Sequence, residues 1–242
     1  MQTVELNERK ISFQVAESYK ILRSNVEFSG ENVRVICLTS AIPNDGKSTT
    51  SFELAKSFAQ SGKSTLLIDA DLRKSVMKKV VTKGSTTQFG LSHLLIGKAS
   101  FMEAVCETDI PNFSVIFSGP FPPNPSELLG SQRFHALIEE AKASFDYIII
   151  DTPPIGSVID SAVISRCCDG VVLVMRSGAV SYRFAQRIKA QMENAGAKIL
   201  GCVLNGVDMS GKGYGKYGKY GRYYQKYYGA YYGSYSGTHS EK

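Results

Sequence analysis

Residues 33–39 read Val-Arg-Val-Ile-Cys-Leu-Thr and run directly into Ser40-Ala41-Ile42-Pro43-Asn44-Asp45-Gly46-Lys47-Ser48-Thr49. A β-forming run, a loop ending Gly-Lys-Ser-Thr and a helix-forming stretch over 47–60 follow one another, and no other feature constrains the fold as much. The backbone N–H groups of such a loop, with the N-terminus of the helix behind it, make a positive concavity for phosphate. The pattern is G-x-x-x-x-G-K-[ST], with Ala41 standing where the first glycine would be. Asn44, Asp45, Gly46, Lys47, Ser48 and Thr49 are the candidate nucleotide-binding residues. Lys47 would reach the β and γ phosphates, and Ser48 would place its hydroxyl on Mg2+. ATP and Mg2+ are therefore the expected cofactors.

Two more apolar runs end in acids. Leu66-Leu67-Ile68-Asp69-Ala70-Asp71-Leu72-Arg73 places two carboxylates two residues apart, and Tyr147-Ile148-Ile149-Ile150-Asp151-Thr152-Pro153-Pro154 reads as a Walker B strand. Open parallel sheets bind ligands at the carboxyl ends of their strands, which is where these acids fall. Three carboxylates around Mg2+ and ATP exceed what a metal tether requires, so Lys47, Asp69, Asp71 and Asp151 are the candidate catalytic residues. Asp69 is favoured as a base, and Ser48, Asp71 and Asp151 as the metal side. The residues alone leave Asp69 and Asp71 interchangeable in those two roles.

Helices are expected over 13–28, 47–60, 126–142 and 181–195, with short ones over 91–96 and 101–105. Strands are expected over 33–39, 65–69, 113–117, 147–150, 171–175 and 199–204. Strands apolar throughout and alternating with helices specify an α/β fold of the P-loop NTPase kind, a mostly parallel central sheet flanked by helices. The 43% hydrophobic residues suffice for one sizeable core. Three segments follow: an N-terminal helix and oligomerisation segment (1–32), a P-loop domain (33–208) and a disordered tail (209–242). No apolar run approaches the roughly 18 residues that span a bilayer, and the N-terminus has no signal-like region, which points to the cytoplasm. The five cysteines lack framework spacing and read as buried, reduced thiols, with Cys167 and Cys168 inside a helix before a strand. His93 has no metal-ligand neighbour at useful spacing. Asn205 suits either an adenine contact or a plain turn.

Ten of the 13 tyrosines lie in the last 34 residues: Tyr214, Tyr217, Tyr220, Tyr223, Tyr224, Tyr227, Tyr228, Tyr231, Tyr232 and Tyr235. Glycine and lysine separate most of them, and no valine, leucine or isoleucine is available to build a core. This tail holds six Lys/Arg and one acid, a net +5 out of the chain's +6. The basic character is therefore confined to the tail, and a nucleic-acid-binding domain surface is not implied. Tyrosine has an unperturbed pKa near 10, so a base beside Mg2+ would help it attack a γ-phosphate. A glycine-rich chain of this length spans roughly 30 Å root-mean-square, enough to reach a neighbouring copy. Each phosphate adds about −1.5 to −2, so roughly three or four would cancel the tail's charge.

Taken together, Pro43-Asn44-Asp45-Gly46-Lys47-Ser48-Thr49, Ile68-Asp69-Ala70-Asp71-Leu72-Arg73, Pro122-Pro123-Asn124-Pro125-Ser126-Glu127-Leu128-Leu129, Ile150-Asp151-Thr152-Pro153-Pro154 and the tyrosine tail resemble the bacterial tyrosine kinases (BY-kinases) of capsule and exopolysaccharide systems. The resemblance covers the whole chain. It implies a kinase of the Gram-positive, soluble type that phosphorylates its tyrosine cluster in trans within a homo-oligomeric ring. It further implies a membrane-bound activator of the polysaccharide co-polymerase type, recruitment to the inner face of the membrane, and a cognate phosphotyrosine phosphatase. The family's ring motif Glu-x-x-Arg-x-x-Arg corresponds here to Glu17, Lys20 and Arg23, with lysine in place of the first arginine. The alternative is a partition-type ATPase switch without tyrosine phosphorylation. Such ATPases carry an extra lysine early in the loop, and positions 41–45 contain none.

Overall fold

Strand-forming and helix-forming runs alternate as the sequence predicts, and the computed structural model, which describes residues 2–7, 10–80 and 87–207, gives their bounds. The elements are β1 (Gln2–Val4), α1 (Phe13–Glu27), β2 (Val35–Ser40), α2 (Lys47–Gln60), β3 (Thr65–Asp69), α3 (Leu91–Leu95), α4 (Phe101–Ala104), β4 (Cys106–Thr108), β5 (Phe113–Ile116), α5 (Pro125–Leu129), α6 (Gln132–Ser144), β6 (Tyr147–Asp151), α7 (Asp160–Ser165), β7 (Gly170–Arg176), α8 (Tyr182–Asn194) and β8 (Ile199–Asn205). A 3-10 turn, Met77–Val80, follows the loop after β3.

The eight strands form one sheet in the order β1-β4-β5-β3-β6-β2-β7-β8, parallel at every pairing except β4 with β5. Side chains alternate across each strand, and the alternation divides the core. Val35 and Cys37 of β2, with Ile148 and Ile150 of β6, pack with Phe134, Leu137 and Ile138 of α6 and Ile188 and Met192 of α8. Ile36 and Leu38 of β2 and Ile149 of β6 pack with Phe52, Ala55 and Phe58 of α2 and Val26 of α1. Both faces are thus covered, and this is why the central strands carry no polar alternation. Residues Met1–Asn205 make one compact unit.

Helix ends follow local chemistry. Ser12 caps α1 by accepting from Val15 N–H, and Ser181 caps α8 by accepting from Phe184 N–H. The helix expected over 126–142 is two helices. Gly130 ends α5, and Ser131 starts α6 by accepting from Phe134 N–H, so capping overrides the continuous apolar period. Pro125 occupies the first position of α5, as the Pro-rich entry predicts. The thiol expectations need correction. All five cysteines are free, but only Cys37 and Cys106 are buried, and Cys202 is exposed on the edge strand β8. Cys167 and Cys168 follow α7 instead of lying in a helix, because α7 ends at Ser165. The tyrosines of 214–235 lie outside the described residues.

Candidate active site

The loop from β2 to α2 reverses the chain with two residues in the left-handed region, Asn44 (φ 67°) and Gly46 (φ 89°). Gly46 cannot be replaced without strain: a Cβ there would lie 1.9 Å from the side-chain amide nitrogen of Asn205. That amide donates to the Asp45 carbonyl at 2.9 Å, so Asn205 buttresses the loop from the end of β8. The Asp45 side chain is buried and turned back into the loop, where Oδ2 accepts from Ile42 N–H at 3.3 Å. Its carboxylate serves the loop's shape and faces away from the role of a phosphate ligand. Asn44 and Thr49 are exposed and Ser48 is half-buried. Ala41, at the first-glycine position, meets a glycine from the other side: a Cβ on Gly156 would lie 2.1 Å from the Ala41 carbonyl oxygen.

Strand register brings the acids together. Asp69 ends β3, Asp151 ends β6, and the two are direct partners across the parallel pair. Both are buried, as is Asp71. Lys47 Nζ pairs with Asp151 Oδ1 at 2.6 Å and also donates to Ser48 Oγ at 3.2 Å. Ser51 Oγ donates to the same Asp151 oxygen at 3.0 Å. Asp69 accepts from the Ser75 hydroxyl and from Asp71 N–H at 3.3 Å, and Asp71 Oδ1 accepts from Lys74 N–H at 2.9 Å. Burial, reinforced by the Asp151 charge, pushes the Asp69 carboxyl up to about 7, while Ser75 and Lys47 partly oppose the shift. Behind the site, Thr152 Oγ1 donates to Leu38 O at 2.8 Å and Thr39 Oγ1 to Pro153 O at 3.0 Å, locking the ends of β6 and β2 together.

Lys47, Ser48, Asp69, Asp71 and Asp151 therefore converge at one end of the sheet, as the sequence predicts. Ser51 and Ser75, which hold two of the acids, carry no motif and were not anticipated. The donor set is oxygen and ammonium, suited to phosphate and a hard cation. Among the described residues no group of three or more histidine, cysteine or acidic side chains is arranged to hold a metal ion alone. Mg2+ takes one or two carboxylates and completes its shell with phosphate oxygens and water, and Asp71, Asp151 and the Ser48 hydroxyl are donors of that kind. The residues thus fit Mg2+ and ATP.

The three residues expected to contact a neighbouring copy divide. Glu17 and Lys20 pair with each other at 2.7 Å on the outer side of α1, whereas Arg23 reaches inward and donates to Ser57 O at 2.8 Å on α2. His93 is satisfied locally, accepting from Gly90 N–H at 3.2 Å.

A Walker-type loop, a β6 acid and a second acid pair after β3 define a P-loop nucleotide-binding enzyme, and residues 33–199 match the family described as AAA domain. A protein named tyrosine-protein kinase CpsD from Streptococcus agalactiae is 46% identical over 210 residues, covering 87% of this chain and 91% of its own length. The kinase domain of the Escherichia coli tyrosine kinase ETK superposes with a TM-score of 0.76 at 30% identity, over 86% of this chain and 90% of that one. The chimerical protein CapA2B2 superposes with a TM-score of 0.75 at 32% identity, over 84% of this chain and 93% of that one. The chain belongs to the family of bacterial tyrosine-protein kinases.

Proposed function

We propose that this kinase phosphorylates its own C-terminal tyrosine cluster, residues 214–235, on a neighbouring copy, and so regulates the polymerisation and export of a capsular polysaccharide or exopolysaccharide. The observation that carries the reading is Asp69, a buried carboxyl with its proton affinity raised to about 7, beside Lys47 and Asp151. ATP bound with Mg2+ supplies the phosphoryl group. Lys47, paired with Asp151 at 2.6 Å, would turn to the phosphate oxygens, and the loop N–H groups of residues 44–49 would orient them. Ser48, Asp71 and Asp151 would hold the cation, which would neutralise charge developing on the phosphate oxygens. Asp69 takes the phenolic proton as the tyrosine oxygen attacks, which a carboxyl of ordinary acidity would do less well near neutral pH.

The domain scheme follows the sequence: 1–32 for assembly, 33–208 for catalysis, 209–242 as substrate. Glu17 and Lys20 on α1 contact the next protomer of a ring, with Arg23 holding α1 on α2. A chimerical neighbour suits a kinase that works with a second chain, which we take to be a membrane-bound activator of the co-polymerase type. A phosphotyrosine phosphatase would reset the tail. Among the described residues no helix is long and apolar enough to cross a membrane, so recruitment to the inner membrane face would depend on that activator. Incubation of the full chain with Mg2+ and ATP, followed by mass-spectrometric mapping, tests the reading. Phosphate on tyrosines of 214–235 is expected. ATP hydrolysis with unmodified tyrosines would favour the ATPase switch instead.

A further inference from the structure

Strand register leaves one acid unplaced. Asp71 lies two residues beyond the end of β3 and one beyond the last backbone bond to the β6 end, Ala70 N–H to Asp151 O at 2.8 Å, so its own backbone is outside the ladder. Its loop is held through Arg73. Arg73 Nε donates to Asp160 Oδ2 at 2.8 Å and one terminal nitrogen to Asp160 Oδ1 at 3.2 Å. The same nitrogen donates to Ser126 Oγ at 3.0 Å, and the Ser126 hydroxyl donates to Asp160 Oδ1. Asp160 is wholly buried while the Arg73 side chain is about one-third exposed. A buried carboxylate is costly unless its oxygens are satisfied, and here a guanidinium fork and a hydroxyl satisfy both.

The tie joins three segments that the sheet leaves free: the loop after β3, the first turn of α5 and the first residue of α7. Asp160 is reached from Asp151 by a single connection, residues 152–159, so the tie spans the loops of the two acid-bearing strands. Arg73 also stands directly before the two groups that hold the acids, Lys74 N–H on Asp71 and the Ser75 hydroxyl on Asp69. Anchoring Arg73 therefore anchors both holders.

We propose that Asp160 is a positioning residue for phosphoryl transfer: with Arg73 and Ser126 it fixes the loop carrying Asp71 and Ser75 against the loop that follows Asp151. The inference rests on the reading of Asp69 and Asp71 as working acids. A displacement of about 1 Å at a reacting centre costs on the order of 100-fold in rate. Lysine at position 73 keeps the charge but lacks the fork that spans both Asp160 oxygens and Ser126.

The test uses full-length Asp160→Asn, Arg73→Lys and Ser126→Ala, with Asp69→Asn alongside. Single-turnover transfer at saturating Mg2+ and ATP, affinity for a fluorescent ADP analogue and thermal midpoint are measured for each. Transfer is expected to fall roughly 10- to 100-fold in Asp160→Asn and Arg73→Lys, with nucleotide affinity within about threefold of the parent. The Arg73→Lys/Asp160→Asn double variant should be no worse than the more impaired single one, because both break the same tie. Ser126→Ala should lose about two- to fivefold at an unchanged midpoint, since one hydroxyl is removed and the ion pair stays. If Asp160→Asn fails to fold, Arg73→Lys and Ser126→Ala, at side chains open to solvent in part, decide the matter. Unchanged transfer in these variants with an inactive Asp69→Asn would overturn the inference alone. Rate, affinity and midpoint falling together in all of them would also overturn it, by making the tie a strut of the fold. Full activity in Asp69→Asn would instead overturn the reading of the site.

Discussion

Asp69 and Asp71 are separated by one residue, yet different forces place them. Asp69 is the last residue of β3 and sits opposite Asp151 because the strands are paired along their length. Asp71 lies just past the ladder, after the Ala70 N–H bond to Asp151 O, and its position depends on side-chain contacts, its own N–H on Asp69 and Lys74 N–H on its carboxylate, and on the loop behind it. The first arrangement is cooperative and hard to perturb one residue at a time. The second is a chain of side-chain contacts that single substitutions can break. Both acids need fixed positions; the strand ladder supplies that for Asp69, and the Arg73–Asp160–Ser126 contacts supply it for the loop of Asp71.

The largest effect expected from this contrast is at Asp69. Asp69→Asn should lower transfer by about 10²- to 10⁴-fold, read by phosphotyrosine formation, by removing the base. The same change should stabilise the nucleotide-free protein. A carboxyl raised in the folded state contributes stability that is complete below about pH 4 and lost as pH rises through about 7. Above neutrality Asp69 is therefore a net cost, and Asp69→Asn should raise the thermal midpoint at pH 8 by about 5 °C, with a much smaller gain at pH 5. Equal midpoints at pH 8 would mean that the site does not hold a strained carboxylate.

Ser75→Ala should act more gently and in a defined direction. The Ser75 hydroxyl lowers the proton affinity of Asp69, so its removal raises it further. The acid limb of the pH–rate profile should move to higher pH, with a loss of about three- to tenfold at pH 7 that recovers above pH 8. A uniform loss at every pH would assign Ser75 to loop shape alone. The smallest contrast lies on α1. Arg23→Ala removes a half-buried bond to Ser57 and should destabilise by about 1–2 kcal/mol, whereas Lys20→Ala removes an exposed pair and should stay within about 0.5 kcal/mol. Sedimentation should show the reverse order for assembly, with Lys20→Ala weakening it and Arg23→Ala acting through α1 packing.

The same division decides what the sequence made legible. The bounds of α2 and β3 match expectation to the residue, because the loop chemistry starts one and Asp69 ends the other. The edge strand β1 and its neighbour β4 escaped notice: Gln-Thr-Val and Cys-Glu-Thr are too short and mixed to signal a strand, and pairing alone forms them. The split between α5 and α6 was hidden by apolar residues that kept helical spacing across Gly130 and Ser131. Lys47 was readable from the Gly-Lys-Ser-Thr pattern, and the three acids because each ends or closely follows an apolar run. Asp160 was not, since nothing in the chain ties it to Arg73, 87 residues away. Ser75 was equally silent, a serine in a loop until the fold turns its hydroxyl onto Asp69.

The central claim is that one copy's acids act on another copy's tail, and mixing two crippled chains tests it most directly. One chain carries Lys47→Met with its tail intact; the other has an intact site and lacks residues 209–242. With Mg2+ and ATP, and the activator's cytoplasmic segment present, phosphate should appear on tyrosines 214–235 of the Lys47→Met chain. A mixture that leaves that chain unmodified, while the intact protein alone phosphorylates its own tail, would contradict transfer between copies.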